Sequence, residues 1–457
     1  MDSSRTVRGL VVLALVFAAS RQVVAADPAA RYAIKSERQP DQLTRVEVSL
    51  QVGGDLTLTN DGSQKKVPMS VLANLAYDEK LLSAASAEKP ARAIRYYLDA
   101  HAVIKVDKGG EKPTLAADRR LIAVEKPSKG PAVLYCPQGP LKREELDLID
   151  VPGNTLLVEQ LLPSEPVAVG APWKLADQTL ADLIGLEAVS WTDVQSVLGQ
   201  VTDGVAEIAS AGNVSGAVGG VSTEIEMKAK YKFDLKLKRI IYLALLIKEK
   251  RAIGHIGPGL DTVAKLIVKI SDAPQNEHLT DTALAHVPQS LNPELAELGF
   301  DSAAHQFHFK YDRRWYVTSD EPKLAVFRLM DRGELVAQCN VAALPGGQKK
   351  PVSLAEFQHD IQQTLGKEFG QFINASESTN EAGYSVLRVV VRGTVSQLPI
   401  QWIYYLIADP KDQRVSLAFT FEQNLEERFA HADRALVSEL RLTDPPAPTA
   451  ARATQQK

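Results

Sequence analysis

The stretch VSTEIEMKAKYKFD, residues 221–234, alternates without a slip. Val221, Thr223, Ile225, Met227, Ala229, Tyr231 and Phe233 take the odd positions, and Ser222, Glu224, Glu226, Lys228, Lys230, Lys232 and Asp234 the even ones. Successive side chains of a strand point to opposite sides of a sheet, so a period of two predicts a strand with one dry face and one wet face. The glycines just upstream, Gly212, Gly216, Gly219 and Gly220, therefore lead into a strand. A phosphate cradle needs glycines that lead into a helix N-terminus, where free N–H groups and the dipole favour an anion. Their spacing fits neither the P-loop nor the dinucleotide fingerprint. Residues 212–220 read as a flexible turn, and the lysines of the wet face as solvated charges that deter edge pairing.

Working outward, GVAEIAS (204–210) precedes the turn as a strand. After a second turn near Asp234–Lys238, RIIYLALLIKEKRAIG (239–254) returns antiparallel; one unbroken strand as far as Arg251 would be about 100 Å long. Upstream, RVEVSLQV (45–52) alternates, GGD follows, then LTLTN, which reads as a hairpin. KKVPMSVLANLAY (65–77), RAIRYYLDAHAVIKV (92–106) and RRLIAVE (119–125) read as further strands. The pattern then changes to three short helices: KREELDLID (142–150) and NTLLVEQLL (154–162), split by Pro152–Gly153, and DQTLADLIG (177–185) with Asp177 as N-cap. Residues 272–302 are polar and turn-rich, a linker with one short helix at 293–298. The pattern resets at HQFHFKYDRRWYVT (305–318), with Phe307, Phe309 and Tyr311 on one face. PKLAVFRLM, DRG and ELVAQCNVAAL (322–344) form a hairpin. SLAEFQHDIQQTLGKEF (353–369) is a helix opened by a Ser353/Glu356 capping box. GYSVLRVVVRGTV, PIQWIYYLIAD and RVSLAFTFE (383–422) are three strands, and residues 425–441 a closing amphipathic helix.

The expected fold class is α+β. A large curved antiparallel sheet with short helices (43–271) precedes a second α+β domain (303–443) with its own antiparallel sheet flanked by helices. The chain has 457 residues and a net charge of −4. That charge argues against a general nucleic-acid binder. Residues 1–25 read as a signal peptide: Arg5 and Arg8, then an uncharged run from Gly9 to Ser20, then small residues for cleavage after Ala25 or Ala26. Cleavage removes three arginines and one aspartate and takes the charge from −4 to −6. Residues 26–42 are expected to be a flexible segment and 444–457 a disordered tail. No later apolar run approaches the length of a membrane helix, so the mature chain is expected to be periplasmic or secreted and not membrane-spanning. The two cysteines, Cys136 and Cys339, fall in different domains and are expected to be buried free thiols.

The order of elements from Phe307 to Leu442 resembles the PsbP-like family, accessory proteins of the oxygen-evolving complex and their bacterial relatives. The likeness rests on the FHFKYDRRWYV opening with Trp315, the hairpin, the capped helix starting SLAEF, the strand triplet and the closing helix. It implies a central antiparallel sheet flanked by helices and an accessory or binding role. The stretch 43–271, with many amphipathic strands and short central helices, is similar to the LolA/LppX group of exported lipid carriers. That resemblance implies a half-barrel with helices on its concave side.

No catalytic constellation emerges. His305 and His308 lie three apart on a strand, hence on opposite faces, with no third ligand near. GNVSG (212–216) lacks the serine spacing of a nucleophile elbow. Glu144, Glu145, Asp147 and Asp150 read as charges complementing a helix dipole. No catalytic residue, metal or cofactor is expected. The expected function is a non-catalytic cell-envelope binding protein, for a lipid or other apolar ligand or for an envelope protein; an exported hydrolase assembled only in three dimensions and a purely structural component are the alternatives. The candidate ligand-binding residues are Ile225, Met227, Tyr231 and Phe233 on the first sheet and Trp402 and Tyr404 on the second. For both sets, ordinary core packing is the competing reading.

Overall fold

The computed structural model describes residues 30–60, 63–84, 90–127, 130–302, 307–321, 323–345 and 351–443. The expected signal peptide, the tail and His305 lie outside them. The fold is α+β and strand-rich, with several antiparallel sheets and short helices.

The largest sheet has thirteen strands. Its long members are β1 (Leu43–Asn60), β2 (Ser63–Ser83), β3 (Ala91–Val106), β4 (Leu121–Lys126) and β5 (Val133–Tyr135), then β7 (Gln195–Thr202), β8 (Val205–Val218), β9 (Val221–Asp234), β10 (Arg239–Arg251) and β11 (Gly259–Asp272). Between the two runs come β6 (Leu141–Lys142) and the helices α1 (Arg143–Ile149), α2 (Thr155–Val158) and α3 (Asp177–Ile184). Strand β11 pairs antiparallel with β1, so the last long strand closes against the first in the middle of the sheet. The sheet ends on Pro172–Lys174 at one side and β5 at the other, which leaves it open.

Strand β9 has the alternation its sequence predicts: Ile225, Met227, Ala229, Tyr231 and Phe233 are buried, and Lys228, Lys230 and Lys232 are exposed. Its outer face carries cross-strand ion pairs, Lys248–Glu226 at 2.8 Å and Lys232–Glu207 at 2.8 Å, of the kind that stabilise neighbouring strands only weakly.

The glycine-rich stretches differ from expectation. Only Gly219 and Gly220, at φ 56° and 72°, form the turn, a two-residue hairpin of left-handed residues. Gly212 and Gly216 sit inside β8. A Cβ on Gly212 would come 2.6 Å from Val194 Cα and one on Gly216 2.4 Å from Ala188 O. Glycine there permits close approach of the neighbouring chain. Gly53–Gly54 likewise makes no hairpin: β1 runs straight through it, pairing with β2 and β11. A Cβ on Gly54 would stand 2.2 Å from Asp261 O.

The 143–184 segment lies across the inner face of the sheet. Pro152–Gly153 divides α1 from α2 as expected, with Gly153 at φ 83° and its Cα facing Leu266 and Val268. Asp177 is the first residue of α3 rather than its cap, which falls on Ala176 without a side-chain bond.

The second large sheet has seven strands, in the order β14 (Trp315–Glu321), β15 (Leu324–Asp331), β16 (Glu334–Leu344), β20 (Arg414–Glu422), β19 (Leu398–Ala408), β18 (Ser385–Val395) and β17 (Phe369–Thr379). Helix α4 (Leu354–Leu365) opens with the Ser353/Glu356 capping box. The edge strand β17 was not expected; Phe369, Phe372 and Ala375 pack half-buried against the cluster under α4, but register shifts at Phe369–Gln371 and Phe372–Asn374 break the period of two in FGQFINASEST. The closing helix is broken, because Ala430 and His431 adopt left-handed φ and only Glu426–Phe429 and α5 (Ala432–Ser438) are helical.

A four-stranded sheet joins the halves. β12 (Leu298–Ser302) pairs antiparallel with β13 (Phe307–Tyr311) and parallel with β6, and Arg441–Leu442 adds to β13. The 305–318 stretch is therefore two strands of two different sheets, divided by a turn at Asp312–Arg314. The 272–302 stretch carries Leu279, buried on the outer face of β3 and β4. One core cluster runs continuously from Ile34 through Phe309 to Leu440. Arg31–Tyr32 pairs with Val167–Ala168 and Ile34 is buried, so this part of the expected flexible segment is tied down.

Candidate functional site

The inner face of the large sheet is the natural place to look, because the expected ligand residues lie on it. Ile225, Met227, Tyr231 and Phe233 are all buried in the main core, under the 143–184 segment. The Tyr231 hydroxyl donates to the carbonyl of Leu161 in that segment at 3.1 Å. These four side chains are packed core and open to no groove. Trp402 and Tyr404 share one face as expected, packing with Ile361 and Leu365 of α4 in a second cluster. Tyr405 takes the opposite face, where its hydroxyl donates to the buried Asp433 at 2.6 Å. The structure keeps the two expected sets apart, in separate clusters.

Beyond the helices the inner face continues as an apolar strip. Val52 is registered with Val71 and Ala264, and Val71 with Ile104. One row further, Gly54 pairs with Met69, and Met69 with Val106; beyond that, Leu56 pairs with Val67 and Leu260. Alternation puts these residues on the face of buried Val46, Val48, Ala73 and Leu75. Val52, Leu56, Met69, Val106 and Leu260 are only half-buried. Gly54 removes a side chain from the middle of the strip. Glu249 and Arg251, 3.4 Å apart, edge it on β10.

Between the helices and the sheet lies a band of charge. Glu79 of β2 points inward, fully buried; Arg38 donates to its Oε1 at 2.8 Å and Arg95 to its Oε2 at 2.8 Å. Thr155 donates to the same carboxylate at 2.5 Å, and Arg95 also reaches Asn154 Oδ1 at 2.7 Å. Burial alone would raise the Glu79 carboxyl, but Arg95 and Arg38 outweigh it and hold it down at about 2. Arg38 also faces Glu159 at 3.5 Å.

The band extends to α1, where a correction arises. Only Glu144 and Glu145 sit in the first turn; Asp147 lies near the helix end and Asp150 is the C-cap, where the dipole disfavours a carboxylate. Their partners are cationic. Burial among the surrounding elements raises Asp147 to about 6, opposed by Arg143 and reinforced by Asp150 and Glu144. Asp150 is also raised by burial, opposed by Arg313, Arg95 and Arg143. Burial lowers Arg313 to about 10, against the pull of Asp150. Arg143 donates to the carbonyls of Arg313 (2.6 Å) and Trp315 (3.1 Å), and its guanidinium lies 4.7 Å over the Tyr316 ring. This cluster sits where the two halves meet. Sequence reading missed it because its members come from 143–150 and 311–316, which nothing in either stretch links.

Among the described residues no three His, Cys, Asp or Glu side chains converge as metal ligands, and no helix is long and apolar enough to cross a membrane. Cys136 and Cys339 are buried and free.

No family model matches the chain, and no curated protein matches it. Among solved structures, the cyanobacterial PsbP (CyanoP) from Synechocystis sp. PCC 6803 aligns over 32% of this chain and 92% of its own, at 12% identity and a TM-score of 0.27. The outer membrane protein OprD from Pseudomonas aeruginosa aligns over 85% of this chain and 95% of its own, at 8% identity and a TM-score of 0.12. The translocator domain of the autotransporter NalP from Neisseria meningitidis gives 84%, 88%, 8% and 0.12. Superpositions this loose establish neither a family nor a function.

Proposed function

We propose that the chain is an exported, non-catalytic binding protein of the cell envelope, and that it holds an apolar, lipid-class ligand on the inner face of the large sheet. One observation carries this reading: the strip formed by Val52, Leu56, Met69, Val106 and Leu260 is apolar, half-exposed and continuous with the core. Fully burying an exposed side chain of this kind gains about 1.5–3 kcal/mol, and a ligand covering these half-buried ones would gain the remaining part of that. The proposed site therefore lies on β11, β1, β2 and β3, two to five strands across the sheet from the β9 residues that the alternation singles out.

The test is native mass spectrometry of the protein purified from its host envelope, followed by organic extraction. A bound apolar molecule is expected in the wild type, lost in Leu56→Asp and Met69→Glu. It should be retained in Leu72→Asp, a change at an exposed outer-face position. A clean protein mass after incubation with envelope lipids would end the carrier reading, and capture of a protein instead would move it to a protein partner.

A second reading, an exported hydrolase, draws on the Asp147–Asp150 pair, whose carboxyls are both raised beside Arg143 and Arg313. Turnover of ester or glycoside test substrates that Asp147→Asn and Asp150→Asn both abolish would favour it over the carrier.

A further inference from the structure

On the opposite face of the large sheet, where β3 meets the 276–284 segment, lies a cavity of about 500 Å³. It is lined by Tyr96, Asp118, Arg119, Arg120, Gln138 and His278, among others. Three features distinguish it. First, the Tyr96 and His278 rings stack at 3.8 Å and 15°, giving a flat wall. Second, its one carboxylate is neutralised: Arg119 donates to Asp118 Oδ2 at 2.7 Å and to the Pro140 carbonyl at 3.2 Å, which also fixes Arg119 in place. Third, the half-buried Arg120 guanidinium makes no hydrogen bond or ion pair with any described residue. Elsewhere the half-buried and buried arginines of this sheet are paired, as with Arg45–Asp78 and Arg92–Glu125. The other charge near the wall is Glu277, 3.7 Å from His278 Nε2 and well exposed.

We propose that this cavity binds a phosphate monoester. The free fork of Arg120 matches an oxyanion through two parallel N–H donors. The Gln138 amide and the His278 ring edge supply further donors at the rim. The volume falls within the range of small-molecule sites and leaves room for an organic body against the Tyr96–His278 wall. The site is independent of the apolar strip, which lies on the other face.

The phosphate can come from a free metabolite or from a lipid headgroup, and two probes separate them. Full-length mature protein is titrated calorimetrically with inorganic phosphate, and separately tested for sedimentation with phosphatidic-acid vesicles against phosphatidylcholine vesicles. Saturable binding of one equivalent is expected, weakened about ten- to a hundredfold in Arg120→Gln, the range for losing hydrogen bonds to a charged group. Arg120→Lys, which keeps the charge and loses the fork, should fall between. Arg120 has no internal partner to lose, and an unchanged circular dichroism spectrum checks that the variants fold. Binding of inorganic phosphate that Arg120→Gln weakens by that factor assigns a soluble ligand, and vesicle binding alone, equally sensitive, assigns a headgroup. Absence of saturable binding to both probes, or binding indifferent to Arg120, overturns the proposal.

Discussion

A single buried carboxylate, Glu79, shows how much one residue decides here. It holds Arg38, Arg95 and Thr155 beneath the helical segment. Removing one partner of a buried ion network leaves the rest uncompensated, at a cost of about 3–5 kcal/mol. Glu79→Gln is therefore expected to lower the unfolding free energy by that amount in urea titrations. The pH dependence has two limbs. Folded Glu79 titrates near 2, below the ordinary value near 4.3, so its contribution is full above about 4.3 and is lost as pH falls toward 2. Asp147 acts in the opposite sense. Its folded value near 6 exceeds the ordinary ~3.9, so the folded state takes the proton first and gains stability as pH falls from about 6 to about 4. Stability should rise slightly from pH 7 to about 5 and drop below about 4. Asp147→Asn should flatten the upper limb and Glu79→Gln the lower one; a curve unchanged in both would refute the assignment. The alternation around Tyr77-Glu79-Leu81 puts Glu79 on a dry face, but its partners lie 16 and 41 residues away in sequence, and no local pattern names them.

At the scale of elements, turns and close approaches carry the argument. Gly153 has φ 83°, and a Cβ there would lie 2.8 Å from Leu266 Cδ2 and 3.2 Å from Val268 Cγ2. Gly153→Ala combines backbone strain with overpacking, each costing about 1–3 kcal/mol. Hydrogen exchange should show faster opening across 143–161 while strands β9–β11 stay protected; uniform protection would refute the view that Gly153 seats the segment. Gly220 plays the same part between elements. A Cβ on it would come 1.6 Å from Gly333 O, so the β8–β9 turn and the β15–β16 turn touch backbone to backbone. Gly220→Ala is expected to lower the melting temperature, because neither turn can yield without shifting a sheet. Strand β9 with its one dry face, the continuous apolar runs of β18 and β19, which are buried on both faces, and the α4 capping box were legible because their signals are local. The Gly53–Gly54 stretch misled, since a glycine pair signals a turn and a close strand approach equally well. Strand β17 was not legible because two bulges place its packed residues, Phe369, Phe372 and Ala375, three apart instead of two, and the rest of it is polar and exposed.

For the whole molecule, the continuous core and the shared four-stranded sheet predict that the two halves unfold together. Arg313 donates to the carbonyls of Ala296 and Leu134, from the joining segment and the first sheet, and Arg143 reaches back to the 313–315 backbone. Calorimetry should show one transition for the chain. Arg313→Ala, which leaves the Ala296 and Leu134 carbonyls unpaired at about 1–3 kcal/mol each, should lower its midpoint. Two well-separated transitions in the wild type would show the halves to be independent.

By itself, the sequence determined the fold class, the dry faces of Val46–Val52 in β1, of β9 and of β13, and the positions of α1, α2, α3 and α4. Those follow from periodicity and capping, which act over a few residues. Only the tertiary structure decided which dry face is filled by the chain's own helices and which strip of it stays half-open. It also decided that residues 141–142 and 298–299 share a sheet, and that Glu79 meets Arg38. These outcomes depend on strand order and register across hundreds of residues, and a period of two says which side a residue faces without saying what it faces.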